Sequence, residues 1–410
     1  MKNKRLLAPV GSIFVALVLA TLSLMAACAA PTPTPTPTPT PPPPFKVGNI
    51  YYQTGPCAQI GKCQFACAAL AAKEINERGG ILGGRMIEIH QYDEGYSAEE
   101  SLASVKKAVA DGCELIVGYN DSTTALPAQA YCREKGIVLT TTGAGTKLLT
   151  EGSYPGYFRS GFMCRASDRA RARWVEAMGY KTVVYLAPDS KYCIDALEDY
   201  RSIWDEPDSP VKLLKVIWIP YGAADCKLEA TAAASYNPDF IFGNTWGDLM
   251  VSQGKTLQEI GYKGSWTVCY SFMLDYVVRA LGDAGNGSWH CFNWMYDSSV
   301  PESKRFWEAF KKEYPDPDME PTGFPESAYE GMWITLLAVD AAGGVGDLLK
   351  YDQCLKAVDW MTPRGVKAYI LDNRELCQPN WLNAELMDGK WINITPMPVL
   401  EEDFYWPPKK

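Results

Sequence analysis

Three observations predict an α/β protein built from two doubly wound parallel sheets. Short apolar strands alternate with amphipathic helices from residue 45 onward, and the alternation restarts after Phe158-Arg159-Ser160. Several strands also run into small polar residues where a helix begins. Strands that alternate with helices require a parallel sheet covered on both faces. With 410 residues, 47% of them hydrophobic and 21% charged, the chain is long enough for two globular cores.

The chain begins with a basic start (Lys2, Lys4, Arg5), an apolar run over 6–24 and the small residues Ala26, Ala27 and Cys28. This is a signal-peptide pattern. Its end, Leu24-Met25-Ala26-Ala27-Cys28, resembles a bacterial lipobox, although Met25 stands where Leu is usual. The resemblance implies lipidation of Cys28 as the mature N-terminus, with a signal peptide over 1–27. The run PTPTPTPTPTPPPP over 31–44 adopts neither helix nor sheet; as polyproline II it forms a stiff spacer of about 40 Å. Formal net charge is −9, and the leader contributes only basic residues. An acidic chain argues against nucleic acid as a partner.

The folded part opens with a strand over 46–52 and a turn at Gly55-Pro56. A helix follows with Phe65, Ala68, Ala72 and Ile75 on one face, and Gly79-Gly80 ends it. A strand over 86–90 precedes a helix opened by the capping box Ser97-x-x-Glu100, with Leu102, Val105 and Val109 inward. The stretch over 113–147, CELIVGYNDSTTALPAQAYCREKGIVLTTTGAGTK, gives the site its first definition. It reads as a buried strand (115–117), a polar loop (118–122), a helix of about ten residues stopped by Gly136, and a second strand (137–139) running into residues 140–146. Both loops then lie at strand C-terminal ends, where an open parallel sheet has its ligand crevice and a helix N-terminus offers unpaired N–H groups. Ser122, Thr123 and Thr124 are candidates to hold ligand oxygens. Ser122 also reads as a simple N-cap, and the later threonines as β-branched strand residues.

In the second half, strands are expected over 183–187, 213–219, 240–242 and 266–268, with helices starting near Tyr192, Asp225, Asp248 and Phe272. Helices over 303–314, 327–342 and 352–361 follow. A β-meander of residues 366–370, 383–387 and 390–394 closes the chain. No membrane-spanning stretch is expected after residue 28.

Taken together, KVGNIYYQTGP, EINERGGILGGRMIEIHQYDE, IVGYNDSTTALPA and PDFIFGN resemble bacterial Leu/Ile/Val-type solute-binding receptors of ABC importers, with the type I periplasmic-binding fold. The resemblance runs from about Lys46 to the C-terminal meander. It implies two α/β lobes joined by a three-stranded hinge and closing on a ligand, with crossings near 158–161, 290–293 and 362–365. Lobe 1 would then hold 45–160 and 294–363, and lobe 2 would hold 161–293 and 364–410, after a linker over 28–44. It further implies an extracytoplasmic, lipid-anchored monomer that delivers a small organic ligand (an amino acid, an amide or a small aromatic or amine) to membrane permease subunits. No cofactor is implied. A ligand-sensing receptor domain of the same fold is the alternative.

Carried over position by position, the family's first-lobe contacts fall on Asp121, Ser122, Gly143 and Gly145, with Thr146 adjacent. The second-lobe contacts fall on Tyr192, Trp246 and Tyr270. Ser122 fits a role in holding a ligand carboxylate. Asp121 departs, because its carboxylate would repel one at close range, although it also reads as a cap turned to water. Tyr270 stands where amino-acid receptors place an acid for the ligand ammonium, and a phenol forms no such ion pair. The positions imply an aromatic-lined cleft with few fixed charges.

Of the 13 cysteines, most fall inside expected helices and strands and read as small buried hydrophobes. Cys57, Cys63 and Cys67 form the exception, with spacing suited to one disulfide or a thiophilic metal. Only two histidines are present; no nucleophile elbow, phosphate loop or His-based metal motif occurs, and no catalysis and no metal are expected.

Overall fold

The computed structural model describes residues 41–161, 164–269, 274–378 and 381–404; Cys28 and Tyr270 lie outside them. The first sheet is built from β1 (Phe45–Tyr51), β2 (Ile87–Asp93), β3 (Leu115–Gly118), β4 (Val138–Thr141) and β5 (Tyr157–Arg159), all parallel, in the order β2-β1-β3-β4-β5. Its crossovers are α1 (Ala58–Glu77), α2 (Ala98–Ala110), α3 (Ser122–Lys135) and α4 (Lys147–Glu151). β3 is buried along its whole length, as expected of an inner strand with helices on both faces.

The helix ends follow the capping chemistry of the sequence. At α2 the backbone N–H of Glu100 donates to the Ser97 hydroxyl (3.2 Å), and the Glu100 carboxylate reaches back to the Tyr96 N–H (2.9 Å). At α3 the cap is Asp121, whose Oδ1 accepts from the Thr123 N–H at 2.7 Å, while Gly136 takes the left-handed conformation (φ 66°) that ends the helix.

The second sheet follows α5 (Cys164–Ala177) and holds β6 (Thr182–Pro188), β7 (Lys212–Ile219), β8 (Phe240–Gly243), β9 (Ser265–Thr267), β10 (Ser288–Phe292), β11 (Leu382–Met387) and β12 (Lys390–Pro396). Their order is β12-β11-β10-β9-β8-β6-β7, parallel from β7 to β10 and antiparallel beyond it. The helices in this half are α6 (Lys191–Trp204), α7 (Lys227–Ser235), α8 (Asp248–Glu259) and α9 (Asp275–Leu281). α10 (Pro301–Glu313), α11 (Phe324–Ala342) and α12 (Leu348–Lys356) return to the first sheet. α11 packs along α1 and is buried almost all round, in keeping with its largely apolar sequence; its buried Glu326 and Glu330 are paired with Arg364.

Each sheet has its own core, and the chain passes between the two cores three times. Phe158 belongs to the first core and Ala170 to the second; Phe292 to the second and Trp294 to the first; Leu376 to the first and Trp381 to the second. The last passage therefore comes after residue 376, not at 362–365. Arg364 explains the difference: its guanidinium bonds Glu326 (2.8 Å) and Glu330 (2.6 Å) of α11 and holds this segment on the first core. Residues 366–370 consequently form only isolated bridges, Met361 with Lys367 and Ile370 with Leu376, rather than a meander strand. The third strand of the meander is β10, paired antiparallel with β11.

Candidate functional site

A cleft lies between the C-terminal ends of the two sets of parallel strands. Its empty volume is about 360 Å³, and its walls are Tyr52, Cys57, Asn120, Asp121, Gly143 and Gly145 from the first lobe, Tyr192, Trp246 and Cys269 from the second, and Phe324 at the start of α11. Of the positions inferred from sequence, Asp121, Gly143, Gly145, Tyr192 and Trp246 are thus brought together. Two others turn elsewhere. The Ser122 hydroxyl accepts from the N–H groups of Gly145 (3.1 Å) and Thr146 (2.9 Å), tying the two first-lobe loops to each other. The Thr146 hydroxyl donates to the Asp195 carboxylate across the cleft and caps α4. Both are buried in protein contacts, a consequence of loop packing that residue spacing does not encode.

The lobes meet around this cleft. Lys147 pairs with Glu198, Ile60 and Cys63 of α1 join the second core, and Gly247 lies so near the first lobe that a Cβ there would stand 2.7 Å from the Pro56 carbonyl oxygen. Gly143 serves the close approach of the two first-lobe loops, since its Cβ would meet the Asn120 Cα at 3.1 Å.

Glu94, at the end of β2, decides the electrostatics of the first-lobe wall. It is fully buried, and its carboxyl accepts from the N–H of Asn120 (2.9 Å), the N–H of Asp121 (3.0 Å), the Asn120 amide (3.2 Å) and the Thr124 hydroxyl (2.6 Å). Burial pushes its pKa up to about 8, against the opposing pull of these donors. Burial likewise raises Asp121, against the donors at Thr123. No Lys, Arg or His lines the cleft among the described residues. Burial also pushes the thiols of Cys57 and Cys269 up, so both present neutral S–H groups.

On the second-lobe side, the Tyr192 hydroxyl donates to Asp168 (3.3 Å). Arg171 spans Tyr200 and Asn244, both at 2.9 Å, which braces the wall from behind. Tyr52 stacks on Tyr96 with centroids 4.6 Å apart.

Tyr52, Phe324 and Glu94 receive no role from sequence; Cys57 reads there only as a disulfide or metal candidate, Cys269 as a small buried hydrophobe, and Asn120 only as part of the loop over 118–122. Tyr52 and Glu94 both sit at strand C-terminal ends, which is the signal that marks them. Cys57, Cys63 and Cys67 are free, buried thiols, and no group of three or more His, Cys, Asp or Glu suited to a metal occurs among the described residues. No helix among them is long and apolar enough to cross a membrane.

Comparison with known proteins accords with this architecture. Residues 44–383 match the periplasmic binding protein family. The leucine-specific-binding protein of Salmonella typhimurium is 24% identical over 303 residues, 72% of this chain and 77% of that protein. A leucine-, isoleucine-, valine-, threonine- and alanine-binding protein of Pseudomonas aeruginosa is 22% identical over 76% of this chain and 82% of its own. Among solved structures, an R. palustris ABC-transporter solute-binding protein in complex with benzoate superposes with a TM-score of 0.79 at 21% identity, covering 87% of this chain and 98% of that one. A branched-chain amino acid transporter substrate-binding protein of Streptococcus pneumoniae in complex with isoleucine gives 0.74 at 19% identity, covering 87% and 100%. With two parallel-sheet lobes, a cleft at their strand ends and a family match over most of its length, the chain belongs to the periplasmic binding protein family, in its type I, Leu/Ile/Val-receptor-like form.

Proposed function

We propose that the chain is the extracytoplasmic solute-capturing component of an ABC importer, held at the membrane by a lipidated Cys28 and spaced from it by the proline-rich stretch. It works as a monomer. Two lobes, 45–160 with 294–378 and 161–293 with 381–404, turn about the three passages and close on one small organic solute, and the closed form is what the permease subunits receive. The observation that carries this reading is the cleft itself, walled by both lobes, so that a solute touching both favours closure by its differential affinity for the closed state.

The solute lies against Asp121, Gly143, Gly145, Tyr192 and Trp246. Ser122 and Thr146 shape the first-lobe loop and the lobe contact. No chemical step belongs to this reading, because capture and release require only closure and opening. Known relatives bind branched-chain amino acids or benzoate, small solutes that two closing lobes can enclose.

The test is a thermal-shift screen of residues 43–410, which form one compact unit, against amino acids, amides, amines and aromatic acids. A solute that binds only the folded state raises the melting temperature, by mass action. Trp246→Ala is expected to abolish the shift of the best solute. A variant that keeps the full shift would remove the cleft from the reading.

A further inference from the structure

The cleft differs from a carboxylate-binding site in three features of its first-lobe wall. First, the two backbone N–H groups just ahead of α3, those of Asn120 and Asp121, which could otherwise face an anion, donate to Glu94. They are consumed whichever way Glu94 is charged. The Ser122 hydroxyl is engaged by Gly145 and Thr146. Second, Asp121 remains at the wall with Oδ1 held by the Thr123 N–H and the Tyr221 hydroxyl beside its carboxyl, and no basic side chain lines the cleft among the described residues.

Third, Asn120 has its amide orientation fixed. Its Nδ2 donates to Glu94 (3.2 Å), which leaves Oδ1 as the unengaged end of the amide. Oδ1 is buried without a hydrogen-bond partner in a residue only 7% exposed, and it sits beside Gly143, whose Cβ would approach it to 3.2 Å. Asn120 and Gly143 both line the cavity. A buried acceptor with no donor costs free energy until a donor arrives. Around these two acceptors stand four aromatic side chains, Tyr52, Tyr192, Trp246 and Phe324, whose π faces attract a cation.

Resting on the receptor reading above, we propose that the cleft selects a small protonated amine, an N–H-bearing alkyl- or arylammonium, whose nitrogen donates to Asn120 Oδ1 and the Asp121 carboxylate while its apolar body lies among the four aromatic side chains. Glu94 is the residue that sets this preference: it removes the anion-binding donors and fixes the Asn120 amide. A carboxylate ligand would meet the Asp121 carboxylate where the N–H groups of Asn120 and Asp121 and the Ser122 hydroxyl are already engaged.

The experiment is isothermal titration of the full mature chain with two sets of near-isosteric probes. One set is benzylamine, benzamide and benzoate; the other is 3-methylbutylamine, 3-methylbutanamide and 3-methylbutanoate. At least one amine is expected to bind about 100-fold more tightly than its acid, with the amide between them. Asp121→Asn keeps a competent helix cap and is expected to lower amine affinity about 10- to 100-fold, the range for a hydrogen bond to a charged group. Glu94→Gln is expected to narrow the amine-to-acid ratio, a change that a merely structural role would not produce; melting curves of both variants identify any loss of folding. An acid binding more tightly than its amine overturns the amine proposal and leaves the receptor reading in place, as does failure of all six probes alongside a hit in the wider solute screen. Failure of every solute in that screen overturns both. An Asp121→Asn variant that folds and keeps the amine preference overturns the proposal as well.

Discussion

Replacement of Gly247 by alanine separates closure from folding. Gly247 precedes α8 with φ 58° and ψ −136°, a conformation that costs a residue with a Cβ about 1–3 kcal/mol. That cost is the same whether the lobes are apart or together. A second cost exists only when they are together, because the new Cβ would lie 2.7 Å from the Pro56 carbonyl oxygen and 3.0 Å from the Cys57 sulfur, both on the opposite lobe. Relieving it needs a shift of a few tenths of an ångström or more across the whole interface, comparable to overpacking a core, about 1–3 kcal/mol. Since the solute gains its affinity from the closed form, its dissociation constant is expected to rise about 5- to 150-fold. Gly261→Ala is the control: φ is 71° and no atom lies within 4 Å of its Cβ, so it carries only the backbone cost. Isothermal titration of both variants, with melting curves of the solute-free proteins, measures the two contributions. Equal affinity in the two variants, at equal loss of stability, would refute the coupling of solute binding to lobe closure.

Three further outcomes follow from the same packing. Gly61→Ala would place a Cβ 1.8 Å from the Tyr52 carbonyl oxygen, so denaturant melts are expected to show a loss of about 1–3 kcal/mol or more, together with weaker solute binding as Tyr52 is displaced. Glu375→Gln removes one charged partner of the Arg159 guanidinium, which is 3% exposed; the expected loss is about 1.5–3 kcal/mol, the range for a hydrogen bond to a charged group, and an unchanged melting temperature would contradict the contribution of this pair.

The third concerns pH. Burial raises Glu94 and Asp168 from ordinary carboxylate values to about 8, so between about pH 4.5 and 8 the folded chain binds more protons than the unfolded one. Stability therefore falls as pH rises through this window, by about 1.4 kcal/mol per pH unit for each such group. Glu94→Gln is expected to make the decline between pH 6 and 8 shallower, and an identical slope in denaturant melts would contradict it. His290 acts in the opposite sense, since burial lowers it to about 3 and the unfolded chain gains the extra proton as pH falls below about 6.5.

The parts of the fold legible in the sequence are those written in local signals. β3 is a four-residue apolar run, α3 is bracketed by Asp121 and Gly136, and α2 opens on Ser97 with Glu100 three residues on. The segment over 362–378 is not legible in the sequence, because its position depends on Arg364 meeting Glu326 and Glu330, 38 and 34 residues earlier in the chain. Alternation in residues 366–370 resembles a strand, yet Tyr369 is 64% exposed and no ladder forms. At the cleft, the loops were legible because they end parallel strands. The direction of the Ser122 hydroxyl was not, being set by the backbone of residues 145 and 146, and neither was the Glu94 carboxyl, whose partners lie 26 to 30 residues away.

The central claim is that one solute is held between two lobes that shut on it. A crystal structure with the tightest-binding solute measures this directly. The account predicts a solute in contact with Asp121 on one lobe and Trp246 on the other, with Lys147 still paired to Glu198. A solute touching one lobe alone, or seated in the separate cavity of about 560 Å³ lined by Asn293, Trp294 and Arg364, would contradict it.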